Sequence, residues 1–283
     1  MIATVGALLE QAVRDLAADR DAAEARRDAQ VLLGFALDVS RAWLTTHTDQ
    51  AADSDAAARF RSLVALRASG HPVAYLVGVK EFYGLAFRVT PDVLIPRAET
   101  EELVDAALER LPQGEISKVL DLGTGSGCIA ITIARHRLAA RVTAVDSSIS
   151  ALALARQNAV ALDVAVEFLE SDWFAALGGR HFDLIVANPP YVAADDPHLR
   201  RGDLRFEPRP ALAAGSDGLA ELRRIVQVAP KHLRPFGWLL FEHGYDQAEA
   251  CRDLLRDAGF AELVFRADIA GLPRIAGGRL LTR

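Results

Sequence analysis

The sequence predicts an α/β protein, with a mostly parallel β-sheet covered by helices and a small all-α domain ahead of it. Three observations support this fold class. Apolar residues recur at helical spacing up to about residue 72, and short apolar runs alternate with helical segments from about residue 116. The first of these runs leads directly into a glycine-rich loop.

Residues 1–72 are predicted to form a helical domain. Two apolar stripes recur there at helical spacing, Leu8, Leu9, Ala12, Val13 and Leu16 in the first and Ala25, Ala29, Leu32, Leu33 and Ala36 in the second. A further helix is predicted over 54–68, and Gly70 and Pro72 supply its stop. Because no strand-like alternation interrupts this region, the domain is predicted to be all-α.

Residues 73–97 are predicted to form a β-hairpin linker, because β-branched and aromatic residues surround Gly84. Residues 98–283 are predicted to form the α/β domain. Its strands are predicted at the apolar runs KVLDLG (118–123), RVTAVD (141–146), VEFLE (166–170), DLIVAN (183–188) and GWLLFEH (237–243). Two later runs, ELVFRAD (262–268) and RLLTR (279–283), are predicted to close the sheet as an antiparallel pair.

The composition excludes several classes of protein. The net charge of -6, from 32 basic and 38 acidic residues, argues against an electrostatically driven grip on long nucleic acid. Cys128 and Cys251 match no metal spacing, so no metal site is predicted. The amino terminus lacks the pattern of a signal peptide and no apolar run reaches membrane-spanning length, so we expect a soluble, cytoplasmic protein with no membrane partner.

The loop DLGTGSGCIAI (121–131) follows the first strand of the sheet and opens a helix. Loops in this position bind ligands at the carboxyl edge of an open α/β sheet. Cys128 stands where the dinucleotide fingerprint has its third glycine, so the spacing favours a nucleoside-bearing ligand without a diphosphate. The residues predicted to contact this ligand are Gly123, Thr124, Gly125, Ser126 and Gly127.

Two acidic residues accompany this loop. Asp146 ends the second strand, where a carboxylate is able to accept hydrogen bonds from both hydroxyls of a ribose. The alternative is an aspartate that only forms a turn ahead of Ser147 and Ser148. Asp121 is interpreted either as a structural turn acid or as a partner of a ligand's ammonium group.

Asp172 and Trp173 follow the third strand at the same edge. Asp172 is predicted to accept from an exocyclic amine, and Trp173 to offer a flat face to a purine. A tryptophan buried in the core would give the same sequence, so the position of Trp173 at a strand end is what favours the ligand role.

The stretch Asn188-Pro189-Pro190-Tyr191 comes directly after the fourth strand. With the glycine loop and the strand-end acid, it resembles the class I S-adenosylmethionine-dependent methyltransferases that modify planar nitrogens. Longer segments, at 82–104, 171–174, 188–212 and 239–247, are similar to the release-factor glutamine N5-methyltransferases, the PrmC or HemK family. This resemblance runs from about residue 70 to the end of the chain and departs at Ala98, where the family usually has proline.

The resemblance implies a Rossmann-like sheet, S-adenosyl-L-methionine as the methyl donor, and class 1 peptide-chain release factors as the protein substrate. The implied reaction is methylation of the side-chain N5 of the glutamine in their GGQ motif, which supports translation termination. It also implies that residues 1–72 are a substrate-recognition domain. We expect no direct contact with nucleic acid, and we expect a monomer.

The motif also predicts how catalysis works. The Asn188 side-chain oxygen and the Pro189 carbonyl are predicted to accept hydrogen bonds from the glutamine nitrogen, orient it and stabilise positive charge on it, so no general base is required. The predicted catalytic residues are Asn188, Pro189 and Tyr191, and Pro190 joins them in contacting the substrate. Asn188 is also predicted to touch the methionyl part of the donor.

Other residues and functions stay open. Pro96, Arg97 and Thr100 either line the donor's carboxylate end or cap the helix that follows. The segment 199–210 is either a docking loop or a solvated charged loop. The alternative functions are an amino-methyltransferase acting on a flipped nucleic-acid base, a binding module that has lost activity, and a dehydrogenase.

Overall fold

The computed structural model describes residues 3–18 and 20–281, and the chain divides into two compact units, residues 1–79 and 80–283. The helices of the first unit are α1 (Val5–Leu16), α2 (Ala22–Leu37), α3 (Arg41–Thr46), α4 (Ser54–Ala68) and α5 (Val73–Val77). The predicted helical character of the amino-terminal region is therefore confirmed, and α4 has the bounds that the sequence predicts. Within the described part of the chain, no helix combines the length and apolar character needed to cross a membrane.

The helices α1, α2, α3 and α4 begin at capping side chains, whereas α5 follows Pro72 without one. The side chains of Thr4, Asp21, Ser40 and Asp53 each accept a hydrogen bond from a backbone N–H in the first turn of α1, α2, α3 and α4, respectively. These bonds satisfy donors that would otherwise lack a partner at the helix start. Apolar side chains from the same helices form one buried core, which includes Leu8, Leu16, Ala29, Leu32, Leu33 and Phe60.

The segment 73–97 contains a shorter hairpin than the sequence predicts. It opens with α5, because the Pro72 carbonyl accepts from the Leu76 N–H at 3.2 Å and Gly78, at φ 72°, ends the helix. The hairpin consists of β1 (Val79–Phe82) and β2 (Leu85–Arg88). Tyr83 and Gly84 both have positive φ, 53° and 71°, which is the geometry of a tight two-residue hairpin turn.

The second unit is built on one sheet. Its strands are β3 (Lys118–Leu122), β4 (Arg141–Asp146), β5 (Glu167–Glu170), β6 (Phe182–Ala187), β7 (Leu233–Glu242), β8 (Ala261–Ala267) and β9 (Pro273–Arg279). Its helices are α6 (Glu101–Arg110), α7 (Cys128–His136), α8 (Ile149–Ala161), α9 (Ala220–Val228) and α10 (Ala248–Asp257). Short 3₁₀ turns lie at Ala98–Thr100, Pro197–Arg200, Gly202–Phe206, Arg209–Ala211 and Ala229–Lys231.

The strand order is β5-β4-β3-β6-β7-β9-β8, and β9 runs antiparallel to both of its neighbours. The predicted mostly parallel sheet with an antiparallel closing strand is confirmed. Strand β3 pairs in parallel with β4 on one side and β6 on the other, with Leu122 opposite Val145 and Ala187. The loops that follow these three strands therefore leave the sheet at one edge, at the point where the strand order reverses.

Both faces of the sheet are covered. Successive residues of a strand point to opposite faces, so Val119 packs with α6 and α7 while Leu120 packs with α9 and α10. Leu240 and Leu239 of β7 divide between the two faces in the same way. This two-sided burial explains why the strands are continuous apolar runs in the sequence.

The last strand lies earlier than predicted. The sequence predicts it over 279–283, whereas β9 is Pro273–Arg279, and residues 282 and 283 lie outside the described residues. Proline and adjacent glycines hide this strand from a propensity argument. The glycines are required because a Cβ on Gly277 would lie 2.4 Å from the Leu239 carbonyl oxygen of β7.

We expect Gly277→Ala to lower the free energy of unfolding by about 1–3 kcal/mol, because the added methyl group must push β9 away from β7. Urea unfolding of the full chain measures this change. The matched control is Gly179→Ala, since Gly179 is exposed and a Cβ there meets nothing within 4 Å. Equal midpoints for the two variants would contradict the close approach of the strands.

Candidate active site

The glycine loop lines a cavity of about 470 Å³ at the carboxyl edge of the sheet. Gly123, Gly125 and Gly127 have φ of 71°, 55° and 83°, a backbone conformation that other residues rarely adopt. A Cβ on Gly125 would stand in open space, since no described atom lies within 4 Å of it. The loop thus presents bare backbone to the cavity, as a close-fitting ligand requires. Thr124 and Ser126 line the same cavity.

Asp146 ties this loop to the end of β4. Its Oδ2 accepts from the Gly125 N–H at 2.9 Å and its Oδ1 accepts from the Ser148 N–H at 2.9 Å. Both the turn and the ligand interpretations of this residue are compatible with the structure, because each oxygen accepts one backbone bond and keeps a second lone pair. Asp146 also lines the cavity.

Asp121 lies behind the loop and is fully buried. Its Oδ2 accepts from the Thr124 hydroxyl at 2.6 Å, and no described residue donates to its Oδ1. Burial raises the pKa of Asp121 to about 7. Asp121 is not among the described residues that line the cavity, so its contact is with the loop, as the structural interpretation predicts. The neighbouring Cys128 thiol is also buried, which raises its pKa to about 12 and leaves it uncharged.

Trp173 lines the cavity, and its ring packs directly against the glycine loop. A Cβ on Gly123 would lie 3.2 Å from the Trp173 ring. The indole Nε1 donates to Glu221 Oε2 at 2.6 Å, which fixes the ring plane. Arg224 donates to both oxygens of Asp172, at 3.0 and 2.8 Å, and also to Glu221. Asp172 is therefore already paired with an arginine, a partner that the sequence argument did not anticipate.

Asn188 follows β6 and lines the cavity. Its Nδ2 donates to Thr100 Oγ1 at 3.1 Å, and the Thr100 hydroxyl donates in turn to Glu242 Oε2 at 2.6 Å. Thr100 occupies the N-cap position of α6, but its side chain makes no capping bond to that helix, because its hydroxyl is bonded to Glu242 instead. Glu242 was missed in the sequence, where the only signal is a carboxylate inside the apolar run WLLFEH (238–243).

The rest of the motif divides between the cavity and the interior. Pro190 lines the cavity with Asn188, whereas Pro189 is buried. The Tyr191 hydroxyl donates to Glu242 Oε1 at 2.9 Å, and burial raises the pKa of Tyr191. Pro189 and Tyr191 are not among the described residues that line the cavity, and no described donor reaches the Pro189 carbonyl oxygen or Asn188 Oδ1. Both of these oxygens thus keep their capacity to accept.

A further buried carboxylate, Glu207, is bonded to a segment that lines the cavity. Glu207 accepts from the Ile95 N–H at 3.0 Å and forms an ion pair with Arg97. Pro96, Arg97 and Thr100 line the cavity beside Pro208 and Pro210. Part of the predicted 199–210 loop is therefore held against the site by Glu207, which the sequence argument did not single out.

Comparison with known proteins identifies the family. The PrmC N-terminal domain model matches residues 7–78 and the methyltransferase small domain model matches residues 101–201. A release factor glutamine methyltransferase from Burkholderia pseudomallei (strain K96243) is 53% identical over 260 residues, which cover 89% of this chain and 91% of that protein. The chain belongs to the release factor glutamine methyltransferase family.

Other members of this family support the match over nearly the whole chain. The release factor glutamine methyltransferase of Salmonella typhimurium (strain LT2) is 43% identical over 272 residues, covering 96% of this chain and 97% of that protein. Among solved structures, a methyltransferase from Pyrococcus furiosus is 15% identical with a TM-score of 0.54, covering 78% of this chain and 98% of that chain. The hMettl16 catalytic domain in complex with MAT2A 3'UTR hairpin 6 is 16% identical with a TM-score of 0.56, covering 76% and 81%. At these identities the two structures establish the fold alone.

We expect Asp121→Asn to flatten the pH dependence of stability. Between pH 3.8, the ordinary pKa of this side chain, and about 7, the folded state holds a proton that the unfolded state has lost. The free energy of unfolding therefore falls as pH rises through this window, and asparagine removes that fall while keeping an acceptor for Thr124. Urea unfolding at pH 4.5 and pH 8 measures a differential gain on the order of 1–4 kcal/mol for the variant at the higher pH.

The control for this experiment is Asp257→Asn, at an exposed position at the end of α10. It keeps the pH dependence of the wild type. A wild type and an Asp121→Asn variant with parallel pH profiles would show that Asp121 titrates in the folded protein as it does in the unfolded chain.

Proposed function

We propose that this protein transfers a methyl group from S-adenosyl-L-methionine to the side-chain N5 of the glutamine in the GGQ motif of class 1 peptide-chain release factors, and so supports translation termination. The observation that carries the proposal is the state of Asn188 at the cavity: Nδ2 is engaged by Thr100 while Oδ1 accepts from no described residue. The side-chain nitrogen of a substrate glutamine carries two N–H bonds and needs such an oxygen to accept one of them. The family of the chain supplies the substrate class.

The cavity fits the methyl donor. The residues that line it include bare backbone at Gly123–Gly127 for close approach, the Asp146 carboxylate for a ribose, and the flat Trp173 ring for a purine. Thr124, Ser126 and Asn188 complete the residues that we assign to this site. When bound, S-adenosylmethionine supplies an electrophilic methyl group on a sulfonium sulfur.

The substrate nitrogen is a weak nucleophile, because its lone pair is delocalised into the adjoining carbonyl. We assign Asn188 Oδ1 and the Pro189 carbonyl oxygen as acceptors of its two N–H bonds. Both acceptors are fixed in advance, so they orient the nitrogen and stabilise the positive charge that develops on it without reorganising. The prolines hold the turn because they fix two φ angles and add no competing donor.

Tyr191 supports this turn from the interior. Its hydroxyl is bonded to Glu242, and its carbonyl oxygen accepts from Gln247 Nε2 at 2.9 Å. The direct contact of Tyr191 and Pro190 with the substrate amide that the sequence predicts is retained as part of the proposal. No residue is required to remove a proton before methyl transfer, because the N-methylated amide cation that forms is a far stronger acid than the neutral amide and releases its proton to water, while the sulfonium of the methyl donor becomes a neutral thioether.

We assign substrate recognition to the helical unit. The match of the PrmC N-terminal domain model to residues 7–78 nearly coincides with the compact unit of residues 1–79, which supports this assignment. We further propose that the protein acts as a monomer in the cytoplasm, where release factors function. A nucleic-acid base as the acceptor is not favoured, because the net charge is -6 and the curated relatives carry release-factor names.

The direct test is incubation of the full chain with isotopically labelled S-adenosylmethionine and a purified class 1 release factor. We expect mass spectrometry to locate one added methyl group on the GGQ glutamine. A release factor with that glutamine replaced by asparagine is the control, and it should stay unlabelled. Label in transfer RNA or DNA, with none in the release factor, would refute the proposal.

Asn188→Ala removes one acceptor from the attacking nitrogen, so we expect kcat on release factor to fall on the order of 10²–10³-fold. Turnover at saturating donor and release factor is the measurement. The control is the dissociation constant for S-adenosylmethionine, which calorimetry should find changed far less than kcat. Wild-type turnover in this variant would remove Asn188 from the catalytic residues.

Asp146→Ala acts on the donor instead. We expect donor affinity to fall on the order of 10-fold or more, because the ribose loses its acceptors and the Gly125 N–H loses its partner. Calorimetry without release factor measures this directly. An unchanged dissociation constant would leave Asp146 as a turn residue only.

A further inference from the structure

A chain of hydrogen bonds connects the candidate catalytic amide to a buried carboxylate. Asn188 Nδ2 donates to Thr100 Oγ1, and Thr100 Oγ1 donates to Glu242 Oε2. The three residues come from the end of β6, from the 3₁₀ turn ahead of α6 and from the end of β7. Glu242 is 1% exposed and Thr100 is 2% exposed, so the bond between these two residues is shielded from water.

The direction of this chain follows from the inventory of protons. Both oxygens of Glu242 act as acceptors, Oε1 from the Tyr191 hydroxyl and Oε2 from Thr100, and a threonine hydroxyl has one proton to donate. Thr100 gives that proton to Glu242, at 2.6 Å, and is left with lone pairs alone for Asn188. Only the NH₂ end of the Asn188 amide is able to fill that position, so the oxygen end is turned away from Thr100.

The other groups around Glu242 maintain this direction. The Tyr191 hydroxyl donates to Oε1, and because burial raises the pKa of Tyr191 it stays protonated as a donor. Burial also raises the pKa of Glu242, and the negative charge of Glu99 adds to that rise. The bonds from Thr100 and Tyr191 and the positive charge of Arg274, from β9, act against this rise, although burial remains the larger effect.

We propose that Glu242 is a positioning residue that acts through the Thr100 hydroxyl to fix the orientation of the Asn188 amide, so that Oδ1 rather than Nδ2 faces the substrate nitrogen. This inference rests on the proposed function of Asn188. The two ends of an amide have almost the same shape, so packing alone does not choose between them. An inverted Asn188 would direct N–H bonds at the N–H bonds of the substrate and exclude it from the reactive pose.

Thr100→Val breaks the chain while keeping the volume of the side chain. We expect kcat on release factor to fall on the order of tenfold, because the competent orientation loses its anchor. The dissociation constant for S-adenosylmethionine should stay within about threefold of the wild-type value, since we assign no contact between this hydroxyl and the methyl donor. Thr100→Ser restores the hydroxyl and should restore kcat.

The matched control is Thr132→Val on α7. Thr132 is fully buried, and its hydroxyl has no hydrogen-bond partner among the described residues. This variant makes the same chemical change in a similar setting outside the site, so kcat should stay at the wild-type value. It separates loss of the orienting bond from a general effect of replacing a buried threonine.

Glu242→Gln gives a second, independent variant. Glutamine is able either to accept from Thr100 or to donate to it, so both directions of the chain become possible. We expect a kcat between those of the wild type and Thr100→Val, with unchanged donor affinity. Thermal unfolding of each variant verifies that it is folded at the assay temperature.

Nuclear magnetic resonance reads the orientation without any reaction. The chain contains two asparagines, Asn158 and Asn188, so a ¹⁵N label in asparagine side-chain amides gives two NH₂ groups. Asn158 is fully buried and donates to the Ser126 and Arg88 carbonyls at 2.8 and 3.1 Å, which makes it an internal reference. In Thr100→Val the Asn188 protons should lose their hydrogen-bonded shift, and in Glu242→Gln they should split into two populations, while Asn158 is unchanged.

The outcomes separate the two proposals. A wild type that leaves release factor unmethylated refutes the proposed function and removes the basis of this inference. An active wild type, with wild-type kcat and an unshifted Asn188 signal in Thr100→Val, overturns the inference alone. A loss of affinity for S-adenosylmethionine at constant kcat would make Thr100 a contact of the methyl donor. A loss of kcat that Thr100→Ser does not restore would leave Thr100 with a packing role only. Either result would also overturn the inference.

Discussion

The parallel pairing of β3 with both β4 and β6 is the constraint on which the candidate site depends. It brings the glycine loop, Asp146 and Asn188 to one edge of the sheet, although they are far apart in the sequence. The order of strands reverses at this point, so the loops diverge to opposite faces and leave a crevice between them. The apolar residues that fill both faces keep the three strands in this register, and the geometry of the site follows from that packing.

Three buried or half-buried acids convert this crevice into a site with fixed geometry. Asp146 holds the Gly125 N–H, Glu207 holds Arg97 and the Ile95 N–H, and Glu242 holds the Thr100 and Tyr191 hydroxyls. Burying a carboxylate is costly unless hydrogen bonds or opposite charge compensate it. In each case the compensating donors belong to segments that line the cavity or the motif after β6. The hydrogen bonds that offset the free-energy cost of burying these carboxylates therefore also fix the geometry of the site.

This arrangement suits a reaction that needs alignment more than proton transfer. Two consecutive prolines after β6 restrict the turn, and the bonds of Tyr191 to Glu242 and Gln247 hold its far end. A rigid turn fixes the hydrogen-bond acceptors in position before the reaction begins. In a partly enclosed cavity, such acceptors stabilise developing positive charge more strongly than they would in water. The hydroxyl and carboxylate behind Asn188 serve the same end, because they give a nearly symmetric amide one preferred direction.

The sequence by itself determined the fold class, most strand positions, the glycine loop and Asn188, because each is encoded by a local pattern of apolar, glycine or proline residues. Only the tertiary structure decided the position of β9, the helix α5 ahead of the hairpin, the direction of Tyr191, and the roles of Glu207 and Glu242. Thr100 and Glu242 are 142 residues apart, and Thr100 and Asn188 are 88 apart. Partners at such separations leave no periodic signal in the sequence, since sheet register and packing alone bring their polar atoms together.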